Sequence, residues 1–132
     1  ANYLDDYEEG TWTPQLWKGA TQVTSPSSTG GKYIKIGDML YINWYIYKSS
    51  GTNTASGNWL LKGIPFTLSA SNPYTSVPVT YFTLNNVNQF DVSPHRMQVN
   101  GTNYLEMYSA QASTNWTSGI VELGGSGVIR LT

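Results

Sequence analysis

Apolar and polar residues alternate with a period of two along most of this chain, and no stretch sustains a helical period of 3.6. The clearest case is the run from Met39 to Lys48. There Leu40, Ile42, Trp44 and Ile46 fall on one face of an extended strand, and Tyr41, Asn43, Tyr45 and Tyr47 on the other. The aliphatic face must be core, whereas the tyrosine face is either solvated or a contact surface. Gly31 to Ile36 forms the preceding arm, and Gly37-Asp38 is a two-residue hairpin signal between the two arms. A second hairpin is predicted over Arg96–Tyr108, where Asn100-Gly101 has the composition of a type I′ turn.

The other runs follow the same rule. Thr11-Trp12-Thr13 and Gln15–Lys18 read as a first strand broken by Pro14, which has no N–H to give to a ladder. Asn58–Lys62, Val77–Leu84, Ile120–Leu123 and Val128–Leu131 read as further strands, the last two joined through Gly124–Gly127. Asn85 to Ser93 has room for a short strand around Val87 and Phe90. Thr21–Gly31, Ser49–Gly57, Ser69–Ser76 and Ala110–Gly119 are polar and punctuated by Gly and Pro, so they read as loops. Ile64-Pro65-Phe66 reads as a buried corner. About eight or nine short strands and no substantial helix make an all-β, antiparallel β-sandwich of jelly-roll type.

The chain has 132 residues, enough for one domain around one core. Residues 1–10 read as an acidic connector and 11–132 as the sandwich. Four of the eight acids (Asp5, Asp6, Glu8, Glu9) crowd the start, leaving seven bases against four acids over the remainder, a balance of +3. Some of those four carboxylates are therefore expected to pair with Lys or Arg, in this chain or a neighbouring copy. The bases are scattered singly, which does not suit a nucleic-acid partner. No run has the 18 or more apolar residues of a membrane span, and the N-terminus lacks a signal-peptide layout. With no cysteine, stability must come from packing or oligomerisation. The chain reads as the end of a longer protein or an excised fragment.

Leu4 to Pro14, Gly31–Asp38 with its Gly-x-Tyr-x-Lys-Ile-Gly-Asp pattern, Gly63–Phe66 and the closing Gly127–Leu131 resemble a C-terminal domain of bacteriophage tail fibres and tailspikes. The match runs in order along the whole chain. The resemblance implies a distal β-sandwich of a homotrimer on the virion, stabilising the trimer, recognising the host surface, or both. It transfers no catalytic set and no cofactor.

Candidate chemistry is sparse. The acidic run sits too close together along a terminus to hold two carboxylates across a sugar, and it lacks the Asp-x-Asp-x-Asp spacing of a calcium loop. His95 is the only histidine and no Gly-x-Ser-x-Gly accompanies it, so neither a Ser-His-Asp triad using Asp91 nor a zinc site is marked. The Asn-x-Thr sequons at Asn100 and Asn115 match a glycosylation pattern, the first doubling as a turn. Aromatics are the serious candidates, since sugar rings stack on Trp and Tyr while amides satisfy their hydroxyls. Trp116, Asn115, Tyr74 and Trp17 lie in or beside polar loops and are expected to contact a host polysaccharide or lipopolysaccharide, while Trp12 and Trp44 read as core. Tyr41, Tyr45 and Tyr47 are expected at the trimer interface, with a saccharide platform as the alternative for that ladder. The expected function is a non-enzymatic receptor-binding domain. A trimerisation cap with no ligand of its own is the alternative, and a small carbohydrate-active enzyme the third reading.

Overall fold

The computed structural model describes residues 6–69, 76–89 and 95–131. It is all β and antiparallel, as the alternation predicts. Eleven strands run in chain order as β1 (Tyr7–Thr11), β2 (Gln15–Lys18), β3 (Thr21–Gln22), β4 (Ser28–Ile36), β5 (Met39–Lys48) and β6 (Trp59–Lys62), followed by β7 (Ser76–Leu84), β8 (Val87–Asn88), β9 (Arg96–Val99), β10 (Tyr104–Tyr108) and β11 (Val121–Arg130). A front sheet has the order β1-β4-β5-β11-β7, with β8 paired to β7, and a back sheet the order β7-β9-β10-β6-β2-β3. One cluster of buried apolar side chains from both sheets fills the space between them.

Strand β7 belongs to both sheets. Ser76, Val77 and Pro78 pair with β9, whereas Val79 to Leu84 run along β11. The β11 register shifts between Gly124 and Gly125, which leaves Thr80 as an extra residue on β7. The inward parity changes with it: Val77 and Val79 are buried before the bulge, Phe82 and Leu84 after it. Pro78 sits at the end of the β9 ladder, where its missing N–H costs least. This bulge bends the strand around the core and turns Tyr81 outward.

Several sequence expectations are revised. The acidic run is not only a connector: from Tyr7 on it is edge strand β1, paired residue by residue with β4. The glycines at 124, 125 and 127 make no turn but lie within the ten-residue strand β11. Large neighbours fill the space their side chains would take, as a Cβ on Gly125 would lie 2.5 Å from the Trp44 ring and 2.6 Å from the Pro78 carbonyl. The Gly37-Asp38 hairpin forms as predicted, with Ile36 opposite Met39 and φ positive at Gly37 alone, the type II′ pattern. The second hairpin also forms, but not through a two-residue type I′ turn. Its loop spans 100–103, Gly101 keeps an ordinary φ, and the glycine is there because the Tyr104 ring packs against it. A type I′ turn occurs instead at Asn85-Asn86, with φ of 56° and 65°, between β7 and β8.

Candidate functional site: the outer face of the front sheet

Side chains directly opposite one another in an antiparallel ladder point to the same side. The register of β1, β4, β5, β11 and β7 therefore lays the outer face out in rows. From the Gly37-Asp38 turn inward, these are Tyr7–Ile36–Met39–Arg130, then Glu9–Ile34–Tyr41–Val128, then Thr11–Lys32–Asn43–Ser126. Two further rows, Gly30–Tyr45–Gly124–Tyr81 and Ser28–Tyr47–Glu122–Thr83, continue towards the far end. Nine large apolar or aromatic side chains are exposed among the described residues, and eight of them stand on this face: Tyr7, Ile34, Ile36, Met39, Tyr41, Tyr45, Tyr81 and Val128, at 37–48% exposure. The ninth, Val87, is on β8.

The face has two chemically different ends. Its turn end is aliphatic, with Ile34, Ile36, Met39 and Val128 around Tyr41. Its far end is aromatic and polar. There Glu122, buried although it points outward, accepts the Tyr45 hydroxyl at 2.5 Å. The two rings meet edge-on over Gly124, 6.2 Å apart at 68°. A Cβ at Gly124 would crowd the Trp44 carbonyl at 3.1 Å and the Tyr45 ring at 3.4 Å. Donation to the Glu122 carboxylate, then burial, pushes the Tyr45 hydroxyl up to about 12. Tyr81 is raised by the same carboxylate.

This gives a pH dependence of known sign. An unfolded tyrosine ionises near pH 10, roughly two units below folded Tyr45. The stabilisation is fully present below pH 10 and is lost as pH rises through 12. Allowing for solvent screening of a residue 38% exposed, it contributes about 1 kcal/mol. In denaturant titrations between pH 9 and pH 12, Tyr45→Phe is expected to flatten the alkaline fall in stability. An unchanged slope would exclude the Tyr45–Glu122 bond as its source.

Of the residues expected at a subunit interface, Tyr41 and Tyr45 are exposed on this face and Tyr47 is half-buried on it. Of the carbohydrate candidates, the structure describes Trp116, Asn115 and Trp17. Trp116 is buried at 2% exposure, with its indole N–H donated to the Gly119 carbonyl at 3.0 Å and its backbone bridged to Asn53. Its ring fills the space beside Gly51, so it is core and offers no stacking face. Asn115 is exposed next to it, its carbonyl accepting from Asn85 at 3.0 Å. Trp17 is half-buried on the back sheet, with the Lys62 ammonium 4.1 Å from its ring centre. Tyr74 lies outside the described residues. Because Trp116 is a core ring, Trp116→Ala is expected to cost about 3–5 kcal/mol of stability by chemical denaturation. A variant as stable as the parent would contradict that packing.

The remaining titratable groups serve the fold. Glu8 accepts the Tyr33 hydroxyl at 2.8 Å, and Glu9 accepts that of Tyr7. The expected pairing of these carboxylates with bases is thus replaced within the chain by tyrosine donors. The ion pair seen among the described residues is Arg130–Asp38 at 3.7 Å. Buried His95 holds Ser109 Oγ at 2.8 Å through Nδ1 and the Gln89 carbonyl at 3.1 Å through Nε2, with its ring edge-on to Phe82. A carbonyl only accepts, so Nε2 carries a proton and donates it to Gln89. Among the described residues, no three His, Cys, Asp or Glu group into a metal site.

The aliphatic members of the face were partly legible in the sequence. The two-residue turn fixes the register that sets Ile34 opposite Tyr41, but Tyr81 reaches the face only through the bulge at Thr80. No protein-family model and no curated protein matches the chain.

Proposed function

We propose that this domain sits at the distal end of a homotrimeric phage tail fibre or tailspike on the virion, and that its copies associate through the aliphatic end of the front sheet's outer face. The observation that carries this reading is the concentration on that one face of eight of the nine large side chains exposed among the described residues. Contiguous exposed apolar surface beyond a few hundred Å² marks an interaction site in a soluble domain. The resemblance of the opening acidic segment and of the Gly31–Asp38 hairpin to trimeric fibre domains supplies the partner, namely further copies of the chain.

Methionine oxidation tests it directly. Met39 is 48% exposed on the face, while Met97 and Met107 are at 0% in the core. In the assembled protein Met39 is expected to oxidise with peroxide about as slowly as the two core methionines. Rapid oxidation of Met39 at high protein concentration would count against a buried face.

A second reading, recognition of a host-surface polysaccharide or lipopolysaccharide by the same domain, is supported by the aromatic and polar far end of the face. Three linked copies would turn weak single-site binding into useful avidity.

A further inference from the structure

A groove of about 680 Å³ opens beside Tyr45, where β1 ends and β4 becomes the sheet edge. That volume is within the ~300–1,000 Å³ typical of small-ligand sites. Gly30 and Gly31 line it, with Tyr45, Lys32, Asn43 and Trp12 around them. The glycines differ in role. A Cβ on Gly31 would strike the Trp12 indole at 2.6 Å, so Gly31 is required for packing, whereas a Cβ on Gly30 would meet nothing within 4 Å. Gly30 thus leaves open space next to an aromatic wall.

The wall is held in place before any ligand arrives. Tyr45 is tethered through its hydroxyl to Glu122, and its ring is braced edge-on by Tyr81. Trp12 is fixed as well, its indole N–H shared between the carbonyls of Lys32 at 3.2 Å and Asn43 at 3.1 Å. Asn43 Oδ1 accepts the Lys32 backbone N–H at 2.9 Å, which sets the amide beside the groove. Lys32 forms no ion pair among the described residues. Two carboxylates stand on the same face: Glu9, which lines a neighbouring pocket together with Lys32, accepts from Tyr7, and Glu122 accepts from Tyr45.

We propose that this groove binds a carboxylate-bearing sugar of a bacterial surface glycan, the sugar ring lying against Tyr45 and its carboxylate pairing with Lys32. An aromatic ring takes the C–H face of a pyranose, and a flanking amide satisfies its hydroxyls. The Lys32 ammonium, in no ion pair among the described residues, can give an anion a charge-assisted hydrogen bond. The assignment rests on the carbohydrate reading above and is independent of self-association.

The test is an array of acidic and neutral bacterial-surface oligosaccharides, probed with the intact chain and with Gly30→Trp, Lys32→Gln and Val87→Glu. Gly30→Trp fills the open space on an exposed strand position without strain, so it is expected to keep the parent's stability and assembled mass while losing acidic-glycan binding. Lys32→Gln is expected to weaken binding about tenfold, and Val87→Glu, away from the groove, to leave it unchanged. If the parent binds acidic glycans and Gly30→Trp binds them equally well, the groove assignment is wrong although carbohydrate recognition stands. If the parent binds only neutral glycans, the role of Lys32 is wrong. Binding of none overturns both the groove and the carbohydrate reading, and leaves self-association to its own measurements.

Discussion

Replacing Gly125 with valine is expected to destabilise the domain by about 3 kcal/mol or more, lowering its melting temperature by about 10 °C. Gly125 lies on β11, between β5 and β7, and faces the core. The first atom of any side chain there would come within 2.5 Å of the Trp44 ring and 2.6 Å of the Pro78 carbonyl. The ring could relax only into a core that is already filled, and the carbonyl belongs to the stretch of β7 that crosses between the sheets. Neither can yield cheaply. Gly30→Ala is the matched control, since it also adds a methyl to a strand glycine but into open space. It is expected to change stability by less than about 0.5 kcal/mol. Thermal and denaturant unfolding of the two variants checks the pair. Equal stabilities would mean that Trp44 does not lie over Gly125.

The second large effect is expected on assembly. Ile34 is 37% exposed in the single chain and stands at the centre of the aliphatic rows, across from Tyr41. In an isolated domain Ile34→Glu should be nearly neutral, because its carboxylate reaches solvent. In a self-associated protein the same carboxylate is taken out of solvent within the aliphatic patch of Ile36, Met39, Tyr41 and Val128, where Arg130 on that face is already paired with Asp38. An uncompensated buried charge costs about 3–5 kcal/mol, so association should weaken a hundredfold or more. Val87→Glu places a charge on the one exposed large apolar residue away from the face among the described residues, and it should leave assembly unchanged. Sedimentation velocity over a concentration series separates these cases. Identical mass distributions for the two variants would place the contact elsewhere.

How much of this was legible in the chain depends on which force sets each feature. Core strands came through because burial imposes a period of two on Leu40–Ile46 and on Arg96–Tyr108, and the Gly37-Asp38 turn even carried its register. Strand β3, of two residues, is too short for any period to show, whereas β8 falls where a short strand around Val87 is expected. The Gly124–Gly127 segment misled because glycines commonly mark turns. Here they are set by the bulk of Trp44, Val77 and Tyr45, which are distant in sequence. The acidic run of Asp5, Asp6, Glu8 and Glu9 read as a connector whose carboxylates would meet bases, yet tyrosine hydroxyls let Glu8 and Glu9 lie on an edge strand. The carbohydrate candidates were chosen for standing in polar loops, but loop position does not fix which way a ring points. Trp116 turns inward because its indole finds the Gly119 carbonyl. Residues of the proposed groove were hidden for the opposite reason: Gly30 and Lys32 are unremarkable until the β4–β5 register sets them beside Tyr45 and Asn43.

The most direct test of association through the aliphatic end of the outer face is the mass of the unmodified protein in solution, by sedimentation equilibrium or light scattering at micromolar concentration. A single species at three times the 14.6 kDa chain mass is expected. A monomer persisting across the concentration range would contradict it.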